Sequence, residues 1–298
     1  MNASCRRGGK TYGLIGIYSR SVNGLMDLTT LIGIAAGIAA LVGGFLWEGG
    51  EMHGLVEKTA VLIVFGGTFA AVAVSFPASR LRGIPSALRL AFGKDEDSQQ
   101  QIIERMTEMA TIARRGGVLA LETHAGKLDN RFLREGILMV VDGTDPDLTK
   151  EILELEIEAL ERSHEQQAKI FESAGGFAPT MGIIGTVMGL IKVLGDLHDP
   201  GSLGSSIAVA FTATLYGVAS ANVVYLPLAS KIRSRSQEQV QRMEMMLEGI
   251  MGLQAGENPQ LIRKKLQSFV VQDEPMRRKP KAARDAAEGK ADGNAAQV

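Results

Sequence analysis

Four stretches of this chain carry no charge over a length that can cross a bilayer: residues 28–47, 59–79, 173–191 and 203–230. A membrane helix rises about 1.5 Å per residue, so roughly 20 residues fill a hydrocarbon core about 30 Å thick. With their flanks, these stretches predict membrane helices near 28–47, 57–79, 173–195 and 203–229. In the first, Gly33 and Gly37 form a GxxxG pair suited to close helix contact. The last two stretches are unlike simple anchors. They read SAGGFAPTMGIIGTVMGLI and LGSSIAVAFTATLYGVASANVVYLPLAS. Gly182, Gly185 and Gly189 are closely spaced, hydroxyls stand at Thr186, Thr212 and Thr214, and each stretch holds one proline, Pro179 or Pro227. Small residues let backbones approach, while hydroxyls and proline-freed carbonyls survive at membrane depth where protein or a wet cavity receives them. These two helices read as the lining of something.

The remaining chain alternates in helical stripes. Between 99 and 113, Ile102, Ile103, Met106, Met109 and Ala110 recur at three- and four-residue spacing, which gives one buried face. Arg114-Arg115-Gly116-Gly117 interrupts it. Shorter helices follow at 118–124 and 130–141, with Gly126 and Gly143 as stops. The turn DGTDPD at 142–147 leads into a helix over 148–171 with Leu153, Ile157 and Leu160 on one face. Its glutamates, Glu151, Glu154, Glu158, Glu161 and Glu165, read mostly as a solvated face. After the fourth span, Val240, Met243, Leu247 and Ile250 mark another stripe, and Asn258-Pro259 opens a last helix through Val270.

The fold class is thus all-α, a polytopic membrane protein with four transmembrane helices and a helical cytoplasmic domain. Residues 1–25 form a basic extension too short in its apolar part for a signal peptide, so we expect it to be disordered or to precede a true start at Met26. Residues 26–79 carry the first two spans, 80–172 the cytoplasmic domain, 173–229 the last two spans, 230–270 the C-terminal cytoplasmic helices, and 271–298 an alanine- and lysine-rich tail expected to be disordered.

Composition narrows the chemistry. A net charge of −1 gives no general attraction to nucleic acid, and the single cysteine, Cys5, permits no internal disulfide framework. The four histidines are scattered, no HxxxH or CxxC pair occurs, and no nucleophile–base constellation stands out, so neither a metal site nor an enzyme is expected. GGKT at 8–11 lacks the first glycine of a phosphate loop and reads as chance. Charge does fix orientation. Arg80, Arg82, Arg89 and Lys94 follow the second span and Lys231, Arg233 and Arg235 the fourth, whereas the other connectors hold Glu48, Glu51, Glu57, Asp196 and Asp199. Positive flanks stay inside, so both termini and the long insert belong in the cytoplasm, with the spans in the membrane that bounds it.

No aspartate, glutamate, arginine or histidine lies at the centre of any span, and Lys192, near the outer end of the third, can snorkel. Ion relays through membranes normally use an ionisable side chain. Either the chain moves no ion, as a passive scaffold would, or a partner supplies the carboxylate. Thr186 and Thr214, one in each of the two proline-bearing helices, favour the second when taken jointly.

The segments GGFAPTMGIIGTVMGLI and AVAFTATLYGVASANVVYLPLA, with ARRGGVLALE at 113–122 and DGTDP ahead of an acidic helix, resemble the MotA/PomA/MotP family of flagellar stator subunits over roughly 26–270. The resemblance implies five copies in a ring around two copies of a MotB-like partner, which carries the ion-binding aspartate and a peptidoglycan-binding domain. It implies that Arg114 and Glu122 engage the rotor protein FliG, and that Pro179 and Pro227 bend the pore helices to couple ion binding to torque. Thr186 and Thr214 resemble pore threonines of the sodium-driven branch, although Ala213 stands where that branch often shows another threonine. Sodium is therefore the expected transported ion, a proton the alternative, and no resident cofactor is expected. The ExbB/TolQ type of energising channel shares the last two spans but places its insert after one helix, where this chain has two spans ahead of it.

Overall fold

The computed structural model describes residues 28–50, 52–93, 98–195 and 200–271. The extension, Glu51, Lys94, Asp196, Asp199 and the C-terminal tail named above lie outside the described residues. Among the described residues every regular element is helical, and four helices are long and apolar enough to cross a membrane. They divide into two units, one holding the residues up to 96 with Glu158–Val240, the other holding Asp97–Ile157 with the residues from 241 onward.

The first unit carries the spans. Helix α1 is Leu28–Trp47, matching the expected bounds. The second span begins as α2, Lys58–Val61, passes a π turn at Leu62–Gly66, and continues as α3, Gly67–Ser75. It stops short of the expected end because Pro77 forces Phe76 into extended backbone. Two short helices follow, α4 (Ala78–Leu81) and α5 (Ile84–Phe92). The latter was not anticipated from the pattern; it buries Ala87 and Ala91 against Ala168 and Ile232.

The second unit is built on α6 (Gln99–Gly116), α7 (Glu122–Ala125), α8 (Arg131–Val141) and α12 (Pro259–Val271). A reciprocal cap starts α6: Ser98 Oγ accepts from Gln101 N at 3.3 Å, and Gln101 Oε1 accepts from Ser98 N at 3.1 Å. Asn258 Oδ1 accepts from Gln260 N at 3.0 Å and Pro259 fills the first helical position of α12, as the sequence implies. All five stripe residues of α6 are buried, with Met106 fully so. Opposing glycines make room: a Cβ at Gly249 would meet Met106 Cε at 2.6 Å, and one at Gly136 would meet Ile250 Cδ1 at 2.4 Å.

Two helices contribute to both units. The helix expected over 148–171 and the third span are one element, α9, Pro146–Gly195, of 50 residues. The fourth span is α10, Pro200–Ser220, followed by a π turn at Ala221–Tyr225 and by α11, Leu226–Gln254. The Gly175-Gly176 pair does not break α9, because a helix costs only about 1 kcal/mol per glycine relative to alanine and the flanking turns carry it through.

Within the first unit α9 and α10 run so close that only hydrogen fits between them at several positions. A Cβ at Gly182 would lie 2.9 Å from Ala213 O, one at Gly189 would lie 3.0 Å from Ala210 Cα, and one at Gly217 would lie 2.4 Å from Ala178 O. The GxxxG pair of α1 behaves differently: Gly37 seats Val223 Cγ1, at 2.9 Å from its virtual Cβ, while Gly33 has nothing within 4 Å. Gly217→Ala must push backbone from backbone, and we expect a loss of about 1–3 kcal/mol, the usual cost of overpacking. Thermal melts of the detergent-solubilised protein should show a lowered midpoint for Gly217→Ala and no loss for Gly33→Ala; equal behaviour of the two would refute the seam.

Candidate functional site

The glycine seam brings the threonines together. Thr186 Oγ1 lies 3.1 Å from Gly182 O on its own helix and 3.0 Å from Ala210 O across the seam, and it touches Thr214 Oγ1. Thr214 Oγ1 reaches back to Gly182 O at 3.4 Å. Two hydroxyls and two backbone carbonyls therefore converge where α9 and α10 are closest. A hydroxyl has one proton and two lone pairs. If one threonine donates to the other and the second to a carbonyl, three hydroxyl lone pairs stay available. The pair is rich in acceptors and bears no charge, and both side chains are half-buried.

The prolines sit on the same two strands of chain. Pro179 lies inside α9, one residue from the Ala178 carbonyl that Gly217 approaches. Having no N–H, it leaves the carbonyl four residues back, that of Gly175, without its helical donor. Pro227 lies at the start of α11, directly after the π turn. There Leu226 N bonds Ala221 O, five residues back. The extra residue in that turn gives the proline ring room that a regular turn would deny it at the carbonyl of Val223.

Two further contacts hold the connector between the first two spans to α10, and sequence reasoning did not find them. Tyr216 Oη donates to Leu55 O and accepts from Glu57 N at 3.3 Å. Thr212 Oγ1 reaches Gly54 O at 3.3 Å and its own-helix Ala208 O at 2.9 Å. The partners of Tyr216 lie about 160 positions away in sequence, so no local signal marks them.

A charged clamp joins α9 and α11 beyond the spans. Arg233 binds Glu165 through both Nε and Nη2, at 2.9 and 3.0 Å, and Nη2 also meets Glu172 at 2.6 Å. The two carboxylates raise the arginine's pKa, Glu165 acting most strongly. The Arg233 bond holds the Glu165 carboxyl below its ordinary value. The sequence showed the ingredients, acids before the third span and bases after the fourth, but Glu165 had been read as part of a solvated face and Arg233 only as a marker of orientation.

The sequence-derived pair Arg114 and Glu122 lies in the second unit. Arg114 occupies the last turn of α6 and Glu122 the first of α7, with Val118–Leu121 as a 3-10 turn between them. Both side chains are exposed.

Comparisons with known proteins bear on the family and the fold. The model of the MotA/TolQ/ExbB proton channel family matches residues 124–245, and that of the motility protein A N-terminal family matches 31–117. Motility protein A of Bacillus subtilis (strain 168) is 36% identical over 246 residues, 82% of this chain and 91% of that protein. The structure of C. jejuni MotAB superposes with a TM-score of 0.80 at 30% identity, covering 85% of this chain and all of that one. The flagellar MotAB stator complex from Bacillus subtilis gives a TM-score of 0.77 at 34% identity over 83% of this chain.

The clamp has a pH signature. Because the folded-state pKa of Glu165 is depressed, its contribution is complete above the ordinary carboxylate value of 4.5 and is lost as pH falls through the lower folded value. Both side chains are more than a third exposed, so solvent screening keeps the effect below about 1 kcal/mol. The gap in thermal midpoint between the native chain and Glu165→Gln should be constant around neutral pH and close in strong acid. A gap that widens in acid would contradict the assignment.

Proposed function

The chain belongs to the motility protein A family and is a flagellar motor stator subunit, and from that premise we propose that it lines an ion pathway whose carboxylate is supplied by a MotB-like partner. One observation carries the reading. The pore-type helices converge two hydroxyls and two carbonyls at their closest approach, yet among the described residues of the spans the charged side chains are Lys58 and Lys192, near span ends. Ion relays through membranes normally use an ionisable group at depth. Acceptors without an anion are half of a site, and the similar MotAB structures are of complexes with a second subunit. The ExbB/TolQ reading has less support, because two spans precede the insert here.

The rest of the assembly follows from this reading. Both termini and the second unit face the cytoplasm, in accord with the basic flanks of the inner span ends. Five copies surround two copies of the partner. Arg114 and Glu122 meet the rotor protein FliG, where exposed charges give steering and register more than affinity, which suits a contact made and released at every step. Pro179 and Pro227 act as bends whose packing changes when the partner's aspartate is loaded.

Motility separates these roles from a structural one. Charge reversal at Arg114 and Glu122 should lower swimming at unchanged membrane level, with complementary reversal on the rotor restoring part of it. Pro179→Leu or Pro227→Leu should assemble and produce no torque. Normal swimming by the doubly reversed chain, or loss of the proline variants from the membrane, would remove the corresponding role.

The transported ion is sodium in this proposal. A sodium ion must replace several water oxygens, and one carboxylate offers at most two; Thr186 Oγ1 and Thr214 Oγ1 supply more, with Gly182 O beside them. A proton needs one acceptor and a water chain. Cells carrying this stator alone should stop swimming when sodium is replaced by another cation at equal ionic strength, and undiminished swimming would assign the proton instead.

A further inference from the structure

Thr68 of α3 is 2% exposed, and among the described residues nothing bonds its Oγ1. That is unusual for a helical threonine. Thr107, Thr111 and Thr212 each donate to the carbonyl four residues back, at 2.7, 2.8 and 2.9 Å. For Thr68 that carbonyl is Val64 O. Val64 belongs to the π turn before α3, and its carbonyl accepts from Gly67 N instead. The hydroxyl is therefore buried, within a span, and unspent.

The packing of α3 turns Thr68 toward α9. A Cβ at Gly67 would lie 2.7 Å from Met181 Sδ, and Val72 packs on Ile170 and Ala174. Successive helical residues turn by about 100°, so Thr68 stands on the arc between Gly67 and Val72. The two helices run antiparallel there, since the earlier residue of α3 meets the later one of α9. Thr68 thus lies beside the stretch of α9 from Ala174 to Met181. That stretch holds Pro179 and the Gly175 carbonyl, which loses its helical donor to the proline. A donor short of an acceptor and an acceptor short of a donor share one layer between two spans, and lipid offers a partner to neither.

We propose that Thr68 is a positioning residue for the coupling step, resting on the stator reading above: its hydroxyl donates to the Gly175 carbonyl when the packing around Pro179 changes, and lets go when the packing returns. The structure holds the released packing. An unbonded buried hydroxyl raises the free energy of this packing, and a bonded one lowers that of the other. The gap between the two packings narrows, which suits a change repeated with every ion. A hydroxyl tied to its own helix in both packings would leave the gap unchanged. The same logic explains why threonine stands where valine, of nearly the same shape, would fill the space without an unmet bond.

The experiment uses the full chain with its partner subunit in cells that hold no other stator. Thr68→Val removes the hydroxyl and keeps the shape, and Thr68→Ser keeps the hydroxyl. Thr68→Val should reach the membrane at the native level and melt at the native midpoint or above in the detergent-solubilised complex. Its swimming should fall by roughly fivefold, the population change that one hydrogen bond supports. Thr68→Ser should swim within about twofold of native. Native swimming by Thr68→Val overturns the proposal. So does a lowered midpoint or membrane level for that variant, which would mean that the hydroxyl is already bonded in the resting packing and holds the fold. Equal loss in the two variants overturns it as well, because the hydroxyl would then not be the active group. The native chain reads the stator assignment separately. If it drives no swimming, that assignment falls and the coupling role with it; if it swims and the Thr68 tests fail, the coupling role alone is removed.

Discussion

The structure of the membrane unit depends on one constraint, the approach of the α9 and α10 backbones to within a hydrogen atom's width. Lipid gives no hydrophobic drive for helices to associate, since tails and leucines are equally apolar. What holds two spans together is close packing and whatever polar groups they can share. Gly182, Gly189 and Gly217 supply the first by removing every Cβ that would separate the backbones. The second follows at once. At that separation Thr186 reaches Ala210 O and Thr214 reaches Gly182 O, so hydroxyls that a looser pair would bond to their own helices bond across the seam. The acceptor cluster is a consequence of the glycines.

The same constraint explains why other features gather there. Gly217 meets the chain at Ala178, next to Pro179, so the proline of α9 lies beside the seam. Tyr216 and Thr212 occupy other faces of α10 and tie it to the connector between the first two spans, and Tyr216 stacks at a tilt on Phe65 with ring centres 6.4 Å apart. Beyond the spans, Arg233 binds Glu165 and Glu172 across α9 and α11. Close packing within the membrane, aromatic and hydroxyl ties on one side and a charged clamp on the other each use the interaction their local dielectric favours.

Legibility in the sequence followed the range of the forces involved. The first span was readable to its ends because an uncharged run bounded by polar residues is a local property. So were the α6 stripe and the Asn258-Pro259 start of α12. Thr186 and Thr214 stood out by occurring in the two proline-bearing spans, but their contact with each other is a matter of geometry that the composition does not carry. Interactions that join distant positions were not readable. The Arg233 bonds span 61 and 68 residues, and an arginine after a membrane span looks the same whether it snorkels or clamps. Nor could local pattern tell Gly37, which seats Val223, from Gly33, which meets nothing. The fusion of the acidic helix with the third span went unseen for a similar reason: the switch from charged to apolar residues marks a change of solvent, and a helix with internal hydrogen bonds need not stop there.

The chain by itself is an unfinished object, and the nature of its exposed surfaces says in which ways. On α9 and α10, Ile183, Val187, Ile191 and Phe211 are exposed, as are Leu31, Ile32 and Phe69 on the first two spans. Lipid or further copies can cover all of these without any specific chemistry. The threonine pair is different, because its free lone pairs find no donor in lipid, and its bonds among the described residues go to each other and to backbone carbonyls. Apolar spans call for a membrane, and an uncharged acceptor cluster leaves lone pairs for a donor or a cation. These demands differ in chemistry, so a single folded chain can meet a different partner at each site.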